Sequence, residues 1–211
     1  MKALRGLYAI TSESVCATPD LLIAAVKKVL AGGAHLLQYR DKWNSRTVRE
    51  RNAQALLILC RQRQAALIIN DDVELAASIG ADGVHLGSTD APLAQARAAL
   101  GKDAIIGVSC ANSLERAETA AAAGASYVAF GRFFASLTKP EAPAAMPEVL
   151  TGARRRIAIP ICAIGGITPA NAASLIAAGA DMVAAVEGVF GATDIRRAAA
   201  DYAALFHEAG S

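Results

Sequence analysis

Three polar side chains occupy alternate positions where an apolar run ends: Gln38, Arg40 and Lys42. The run that contains them is predicted to be a β-strand, and alternate residues of a strand point to the same face of the sheet. A glutamine and two cations on an inner face are hard to explain as packing, because an unpaired buried charge is strongly destabilising. The pattern favours a clamp for an anion. An internal salt-bridge layer that uses Asp41 or another carboxylate is the alternative.

Carboxylates follow the next two apolar runs of the chain. Asp71 and Asp72 come directly after the third run, and Asp90 closely follows the fourth. If these runs are neighbouring strands, Asp71 and Asp90 can converge above them. Two carboxylates without a histidine or cysteine partner suit Mg2+, which completes its shell with water and substrate phosphate. Either Asp71 or Asp72 could instead cap the helix that follows.

Groups suited to a second anion follow the later apolar runs. Ser136, Thr138 and Lys139 place two hydroxyls and a cation in one loop. Lys139 could bind an anion, or it could be a Schiff-base nucleophile. The Gly165-Gly166 turn precedes a short helix, and backbone N–H groups at such a turn can approach a phosphate closely.

Two further polar residues, His85 and Ser109, lie within predicted strands. A lone histidine on an inner face is more often a hydrogen-bonded core residue than a catalyst. Ser109 could bind a phosphate oxygen or bond to nearby backbone, and by itself it decides neither reading.

All of these residues depend on a repeated arrangement of elements. Eight short apolar runs alternate with longer alanine-rich helical runs, which predicts parallel strands with helices outside. The units are even in length and no linker divides them, so we expect an α/β fold, a (β/α)8 TIM barrel that forms a single domain over residues 1–211. Functional groups of this fold lie at the carboxyl ends of the strands. The predicted strands are Gly6 to Thr11, His35 to Arg40, Ala66 to Asn70, Gly83 to Gly87, Ala104 to Ser109, Tyr127 to Gly131, Ile159 to Ile164 and Met182 to Val186.

The composition argues against several other classes of protein. Lys and Arg total 21 against 19 Asp and Glu, and a net charge of +2 gives no basic footprint for nucleic acid. The four cysteines show no metal-binding or redox spacing and are predicted to be buried. With no signal peptide and no apolar run of membrane-spanning length, we expect a cytoplasmic protein that does not act at a membrane. The candidate anion sites predict that it acts on small phosphorylated molecules. A homo-oligomer is compatible with the sequence.

Taken together, these motifs resemble the thiamine phosphate synthase (thiamine-phosphate pyrophosphorylase) family. The resemblance covers nearly the whole chain, from Leu7 to Phe190. No single motif is decisive, but the order of the motifs and their placement along the sequence are specific. The motifs are Gln38-Tyr39-Arg40-Asp41-Lys42, Asn70-Asp71, His85-Leu86-Gly87 with Asp90, Ser136-Leu137-Thr138-Lys139 and Ala163-Ile164-Gly165-Gly166-Ile167.

The resemblance implies a transferase that joins a hydroxymethylpyrimidine diphosphate to a thiazole phosphate and releases pyrophosphate. The family reaction is dissociative and requires no protein nucleophile. The resemblance also implies that Mg2+ is the cofactor and that Asp71 and Asp90 bind it. The residues implied to hold the pyrimidine diphosphate are Gln38, Tyr39, Arg40, Asp41, Lys42, Asn70, Ser109 and Lys139, of which Arg40, Lys42, Ser109 and Lys139 form the catalytic set. Those implied to hold the thiazole phosphate are Ser136, Leu137, Thr138, Gly166, Val186 and Glu187.

The sequence departs from the family pattern at one position that matters for charge. Family members often carry Ser where Glu187 stands, and a carboxylate aimed at a phosphate would repel it. Ser88 in place of a common Gln, and Ser136 in place of a common Thr, are milder departures. Three rival functions remain open: a thiazole tautomerase-like relative, which would lack the Asn70-Asp71 pair, a Schiff-base aldolase that uses Lys139, and a non-catalytic phosphometabolite-binding barrel.

Overall fold

A computed structural model of the protein describes residues 4–135 and 144–208, with side chains described as far as residue 206. Its strands are Gly6–Ile10 (β1), Leu36–Tyr39 (β2), Ala66–Asn70 (β3), Gly83–Leu86 (β4), Ile105–Ala111 (β5), Tyr127–Phe130 (β6), Ile161–Ile164 (β7) and Met182–Ala185 (β8). Its helices are Glu13–Cys16 (α1), Pro19–Ala31 (α2), Arg46–Gln62 (α3), Val73–Ile79 (α4), Leu93–Leu100 (α5), Leu114–Ala122 (α6), Glu148–Arg154 (α7), Pro169–Ala177 (α8), Glu187–Phe190 (α9) and Ile195–Glu208 (α10).

The eight strands form one closed parallel barrel. They follow one another around it in chain order, and β8 pairs with β1 to close the ring. The last helix, α10, packs against α2, α8 and β1, so the outer layer also closes. The (β/α)8 fold predicted from the alternation of apolar and helical runs is confirmed, and each predicted strand has a counterpart.

Side chains of the strands alternate between two packed layers. A small buried cluster, which includes Tyr8, Ile68 and Tyr127, fills the inside of the barrel. Residues of opposite parity, such as Leu37 and Ile69, belong to a larger cluster that packs the strands against the helices. Because the interior is filled by side chains, the barrel is a packed core rather than a pore, and an open site is left to the loops at one end.

Several helices begin at a residue whose side chain caps them. The side chains of Ser45, Asp72 and Ser113 accept hydrogen bonds from backbone N–H groups of the first turns of α3, α4 and α6. Such caps satisfy amide groups that have no partner inside the helix. Within the described part of the chain, no helix combines the length and apolarity needed to cross a membrane.

Candidate active site

A cavity of about 660 Å3 opens at the carboxyl ends of the strands. Its size lies within the range of roughly 300–1,000 Å3 that is typical of small-molecule sites. Many of the site residues predicted from the sequence line it together, although they come from six strands and their loops. These lining residues are Gln38, Arg40, Lys42, Asn70, Asp71, Asp90, Ser109, Gly166, Val186 and Glu187.

The carboxyl end of β2 is fixed in place by Thr11. The buried Thr11 hydroxyl donates to the carbonyl oxygen of Arg40 at 2.9 Å and accepts from the Arg40 amide at 2.8 Å. With the backbone held in this way, the Arg40 side chain faces the cavity. Its guanidinium carbon lies 5.4 Å from the ring centroid of Trp43, within the range of a cation–π contact.

Tyr39 and Asp41 point away from the cavity and organise the loop that carries Lys42. The Tyr39 hydroxyl donates to the Asp41 carboxylate at 2.7 Å, and the backbone amides of Trp43 and Asn44 donate to the same carboxylate at 3.1 and 3.0 Å. Burial raises the pKa of Asp41, but these hydrogen bonds outweigh it and lower the pKa overall. Neither side chain lines the cavity, whereas Gln38, Arg40 and Lys42 do. Tyr39 and Asp41 were predicted as binding residues, but the structure places them next to the residues that face the cavity.

The structure separates the roles of the two consecutive aspartates after β3. Asp72 caps α4 by accepting from the Leu75 amide at 2.9 Å. Asp71 adopts a left-handed backbone conformation, with φ of 63°, and its carboxylate faces the cavity. There the Nζ atom of Lys42 lies 2.9 Å from Oδ2 of Asp71. The cap that the sequence could not assign therefore belongs to Asp72.

Asp71 and Asp90 lie within hydrogen-bonding reach of each other. Asp90 is held in place because its Oδ2 accepts from the Gly87 amide at 2.6 Å. Burial raises the pKa of Asp71, but the contacts with Asp90 and Lys42 lower it overall. For Asp90, burial and the adjacent Asp71 carboxylate both raise the pKa. Two carboxylates this close need a cation or a shared proton.

This pair fits Mg2+ better than it fits a softer metal. Within residues 4–135 and 144–208, no cluster of three or more His, Cys, Asp or Glu side chains could hold a metal alone. Mg2+ does not need such a cluster, because it usually binds one or two carboxylates together with water and substrate oxygens. The oxygen-only donor set of Asp71 and Asp90 matches that preference.

The opposite side of the cavity is built from closely packed turns after β6, β7 and β8. A Cβ on Gly166 would lie 2.2 Å from the carbonyl oxygen of Ala135, and Gly166 has a positive φ of 63°. Only glycine fits there without a shift of backbone. On α10, the Tyr202 hydroxyl donates to the Ile167 carbonyl at 2.6 Å, and it leaves no space for a Cβ on Gly188. Tyr202 thus fastens the β7 turn to the β8 turn.

Glu187 begins α9, but its carboxylate lies along the helix rather than at its amino end. A Cβ on Gly191, one turn later, would lie 2.7 Å from Oε2 of Glu187. Val186, Glu187 and Gly188 line the cavity at this point, while the Glu187 carboxylate extends towards the last turn of the helix.

Residues 7–189 match the family described as thiamine monophosphate synthase. A thiamine-phosphate synthase of Thioalkalivibrio sulfidiphilus is 53% identical over 203 residues, which are 96% of this chain and 96% of that protein. One of Nitrosococcus oceani is 53% identical over 200 residues, which are 95% and 92% of the two proteins. A solved thiamine phosphate pyrophosphorylase from Pyrococcus furiosus superposes with a TM-score of 0.87 at 31% identity, over 96% of each chain.

The chain belongs to the thiamine monophosphate synthase family. It is accordingly an enzyme of the transferase class and of thiamine biosynthesis. The family resemblance inferred from the order of the motifs is confirmed.

Four residues that the family resemblance assigned to the site lie outside the described residues, namely Ser136, Leu137, Thr138 and Lys139. Other residues line the cavity without having been predicted as binding residues, namely Tyr8, His85, Arg116 and Arg132. Tyr8 follows the same inward parity as Gln38, so alternation along β1 could have found it. Arg116 lies in a helix rather than at a strand end, and no strand pattern indicates it.

Proposed function

We propose that this enzyme transfers the pyrimidinylmethyl group of hydroxymethylpyrimidine diphosphate to the ring nitrogen of thiazole phosphate, with thiamine phosphate and pyrophosphate as products. The observation that carries the proposal is the division of one cavity into two unlike sides. Cations and a carboxylate pair lie on the β2 to β4 side, and glycine turns lie on the β7 and β8 side. Two phosphorylated substrates need two such subsites. The whole chain, residues 1–211, acts as one catalytic domain.

On the first side, Arg40 and Lys42 bind the diphosphate, joined by Lys139, which follows β6 in the sequence. Gln38, Asn70 and Ser109 contact the pyrimidine and its diphosphate, while Tyr39 and Asp41 act indirectly by shaping the loop. The bond between the pyrimidine methylene carbon and the diphosphate oxygen breaks, and its electron pair leaves with pyrophosphate. Preorganised cations stabilise that developing charge without rearranging during the reaction.

Asp71 and Asp90 are the residues that would hold Mg2+. When bound, Mg2+ supplies positive charge that favours departure of the diphosphate. The ion pair with Lys42 keeps Asp71 ionised and so keeps it available as a ligand.

On the second side, Gly166, Val186 and Glu187 hold the thiazole phosphate through their backbone, together with Ser136, Leu137 and Thr138. The phosphate anchors the thiazole so that its ring nitrogen faces the methylene carbon. The nitrogen lone pair then forms the new C–N bond. No protein nucleophile takes part, and the contribution of the chain is to hold the two substrates in line.

The test is a coupling assay with both substrates and Mg2+, followed by detection of thiamine phosphate and pyrophosphate in equal amounts. Omission of either substrate, or of Mg2+, should abolish both products. Binding of thiazole phosphate without turnover would favour a non-catalytic barrel instead. A borohydride-trapped adduct on Lys139 with a carbonyl substrate would favour an aldolase.

A further inference from the structure

A continuous chain of hydrogen bonds crosses the floor of the cavity and joins five strands. Gln38 Nε2 donates to the Tyr8 hydroxyl at 2.7 Å, and the Tyr8 hydroxyl lies 2.9 Å from the Tyr127 hydroxyl. The Tyr127 hydroxyl lies 2.9 Å from Nδ1 of His85, and Nε2 of His85 lies 2.9 Å from Oγ of Ser109. The two ends, Gln38 and Ser109, are proposed substrate contacts, but the three middle residues have no role in the proposed reaction.

By distance alone each later bond can run in either direction, but only one direction gives the Tyr8 hydroxyl proton an acceptor among these five residues. In that direction Tyr8, which accepts from Gln38, donates to the Tyr127 oxygen, and Tyr127 donates to His85 Nδ1. A neutral imidazole that accepts at Nδ1 carries its proton on Nε2. A neutral His85 then donates to Ser109 Oγ, which leaves the Ser109 hydroxyl proton for a partner in the cavity that Ser109 lines.

The surrounding core is built to hold this chain. His85, Gly107 and Tyr127 lie in register on β4, β5 and β6. A Cβ on Gly107 would lie 2.0 Å from Cζ of Tyr127, so glycine makes the space that the tyrosine ring fills. The Tyr127 ring stacks on His85 with centroids 5.7 Å apart, and Tyr8 meets it edge-on.

Burial also keeps the two tyrosines in the state that the chain requires. Tyr8 and Tyr127 are at most 1% exposed. Burial raises the pKa of each phenol well above its ordinary value, so both hydroxyls retain their protons and act as donors. A deprotonated phenol would break the chain, because it could accept but could not pass a hydrogen bond on.

We propose that Tyr8, Tyr127 and His85 are positioning residues that fix His85 as its Nε2–H tautomer and aim the Ser109 hydroxyl proton into the cavity. Within the chain of hydrogen bonds, Gln38 uses only its amide nitrogen, which donates to Tyr8. Its amide oxygen can therefore accept from a substrate N–H group. An outward hydroxyl proton suits an anionic oxygen, and an amide oxygen suits an amino group. Both match an aminopyrimidine diphosphate, and this part of the inference rests on the proposed function.

The tautomer can be tested without any substrate. The protein has three histidines, so nitrogen NMR of histidine-labelled protein gives few signals. The signal that disappears in His85→Asn is the one from His85. We expect wild-type His85 to carry its proton on Nε2. In Tyr127→Phe the donor to Nδ1 is lost, and a mixture of the two tautomers is expected.

The matched control is Tyr202→Phe, which removes another buried tyrosine hydrogen bond outside the chain and should leave the His85 signal unchanged. A proton on Nδ1 in the wild-type protein would overturn the proposal, because it would show that the chain runs in the opposite direction. An unchanged signal in Tyr127→Phe would also overturn it. If Tyr127→Phe does not fold, Tyr8→Phe breaks the chain of hydrogen bonds at the preceding link. We expect that variant also to show a mixture of the two His85 tautomers. An unchanged His85 signal in Tyr8→Phe would equally overturn the proposal.

A double-mutant cycle tests the link from the chain to Ser109. If Tyr127 acts through Ser109, Tyr127→Phe should lower kcat/KM severalfold in the wild-type background and much less in Ser109→Ala. Equal losses in both backgrounds would overturn the link. If the coupling assay shows no activity, the proposed function fails, but the tautomer measurement still decides the arrangement of protons.

Discussion

The Nζ atom of Lys42 lies 2.9 Å from Oδ2 of Asp71, and this ion pair joins the two charged parts of the cavity. Lys42 follows β2 with the cations, and Asp71 follows β3 with the carboxylates. Through this contact Lys42 helps to lower the pKa of Asp71, while Asp90 on the other side has its pKa raised. Asp71 is thus kept ionised, and its negative charge repels the ionised form of Asp90. A cation bound between the two carboxylates would relieve this repulsion.

The two consecutive aspartates give a matched test of the Mg2+ site. Asparagine tolerates the left-handed backbone at position 71 and can still cap α4 at position 72, so both variants should fold. We expect Asp71→Asn to lower Mg2+-dependent activity by more than about tenfold, because even the loss of a residue that only supports a metal ligand typically costs about 10- to 100-fold. Asp72→Asn should keep wild-type Mg2+ dependence. Titration of activity with Mg2+ measures both, and equal behaviour of the two variants would contradict the assignment.

Asp90 should make the metal-free protein less stable as the pH rises. A carboxyl whose pKa is higher in the folded chain than in the unfolded chain favours folding while it is protonated, and that stability is lost as the pH rises through the folded pKa. Without divalent cations, Asp90→Asn should therefore melt at or above the wild-type temperature at about pH 8. The gap should close towards about pH 4, where an ordinary aspartate becomes protonated.

Thermal melts in a chelator across this pH range test the prediction, with added Mg2+ as the control. Mg2+ should raise the melting temperature of the wild type more than that of Asp90→Asn, because a ligand stabilises the state that binds it. A lower melting temperature for the variant at neutral pH without metal would show that Asp90 is not under repulsion.

Trp43 should report on and support anion binding by Arg40. It is the single tryptophan of the chain, and Arg40 lies over its ring. We expect pyrophosphate with Mg2+ to change the tryptophan fluorescence of the wild type but not of Arg40→Gln. Trp43→Leu should weaken pyrophosphate binding by about two- to fivefold, since an exposed cation–π contact is worth roughly 0.5–1 kcal/mol. Arg46→Gln, which removes an arginine paired with Glu50 on α3, is the control and should behave as wild type.

Glu187→Ser should leave thiazole phosphate binding unchanged or tighten it. The Glu187 carboxylate lies beside Gly191, away from the start of α9, so its removal should cost no contact to the phosphate and should reduce repulsion. Calorimetric titration with thiazole phosphate measures the effect, and Glu187→Gln separates charge from size. A severe loss of affinity in both variants would show that the carboxylate has a direct positive role.

Much of the site could be predicted from the sequence because a parallel barrel makes strand ends converge. The two-residue period placed Gln38 and Arg40 on one face and Tyr39 on the other, and the structure shows that arrangement. The resemblance to the family was carried by motifs at these same strand ends. Both signals are local in the chain, so neither required knowledge of how distant residues pack.

Other assignments depended on contacts between residues far apart in the chain. The sequence could not say which of Asp71 and Asp72 caps α4, because that depends on the backbone conformation that each adopts. It also gave no reason to link Tyr8, Tyr127 and His85, since they meet only when the barrel closes and its strands take their register. Local periodicity determined which face each residue occupies, whereas the tertiary structure decided which of these residues touch.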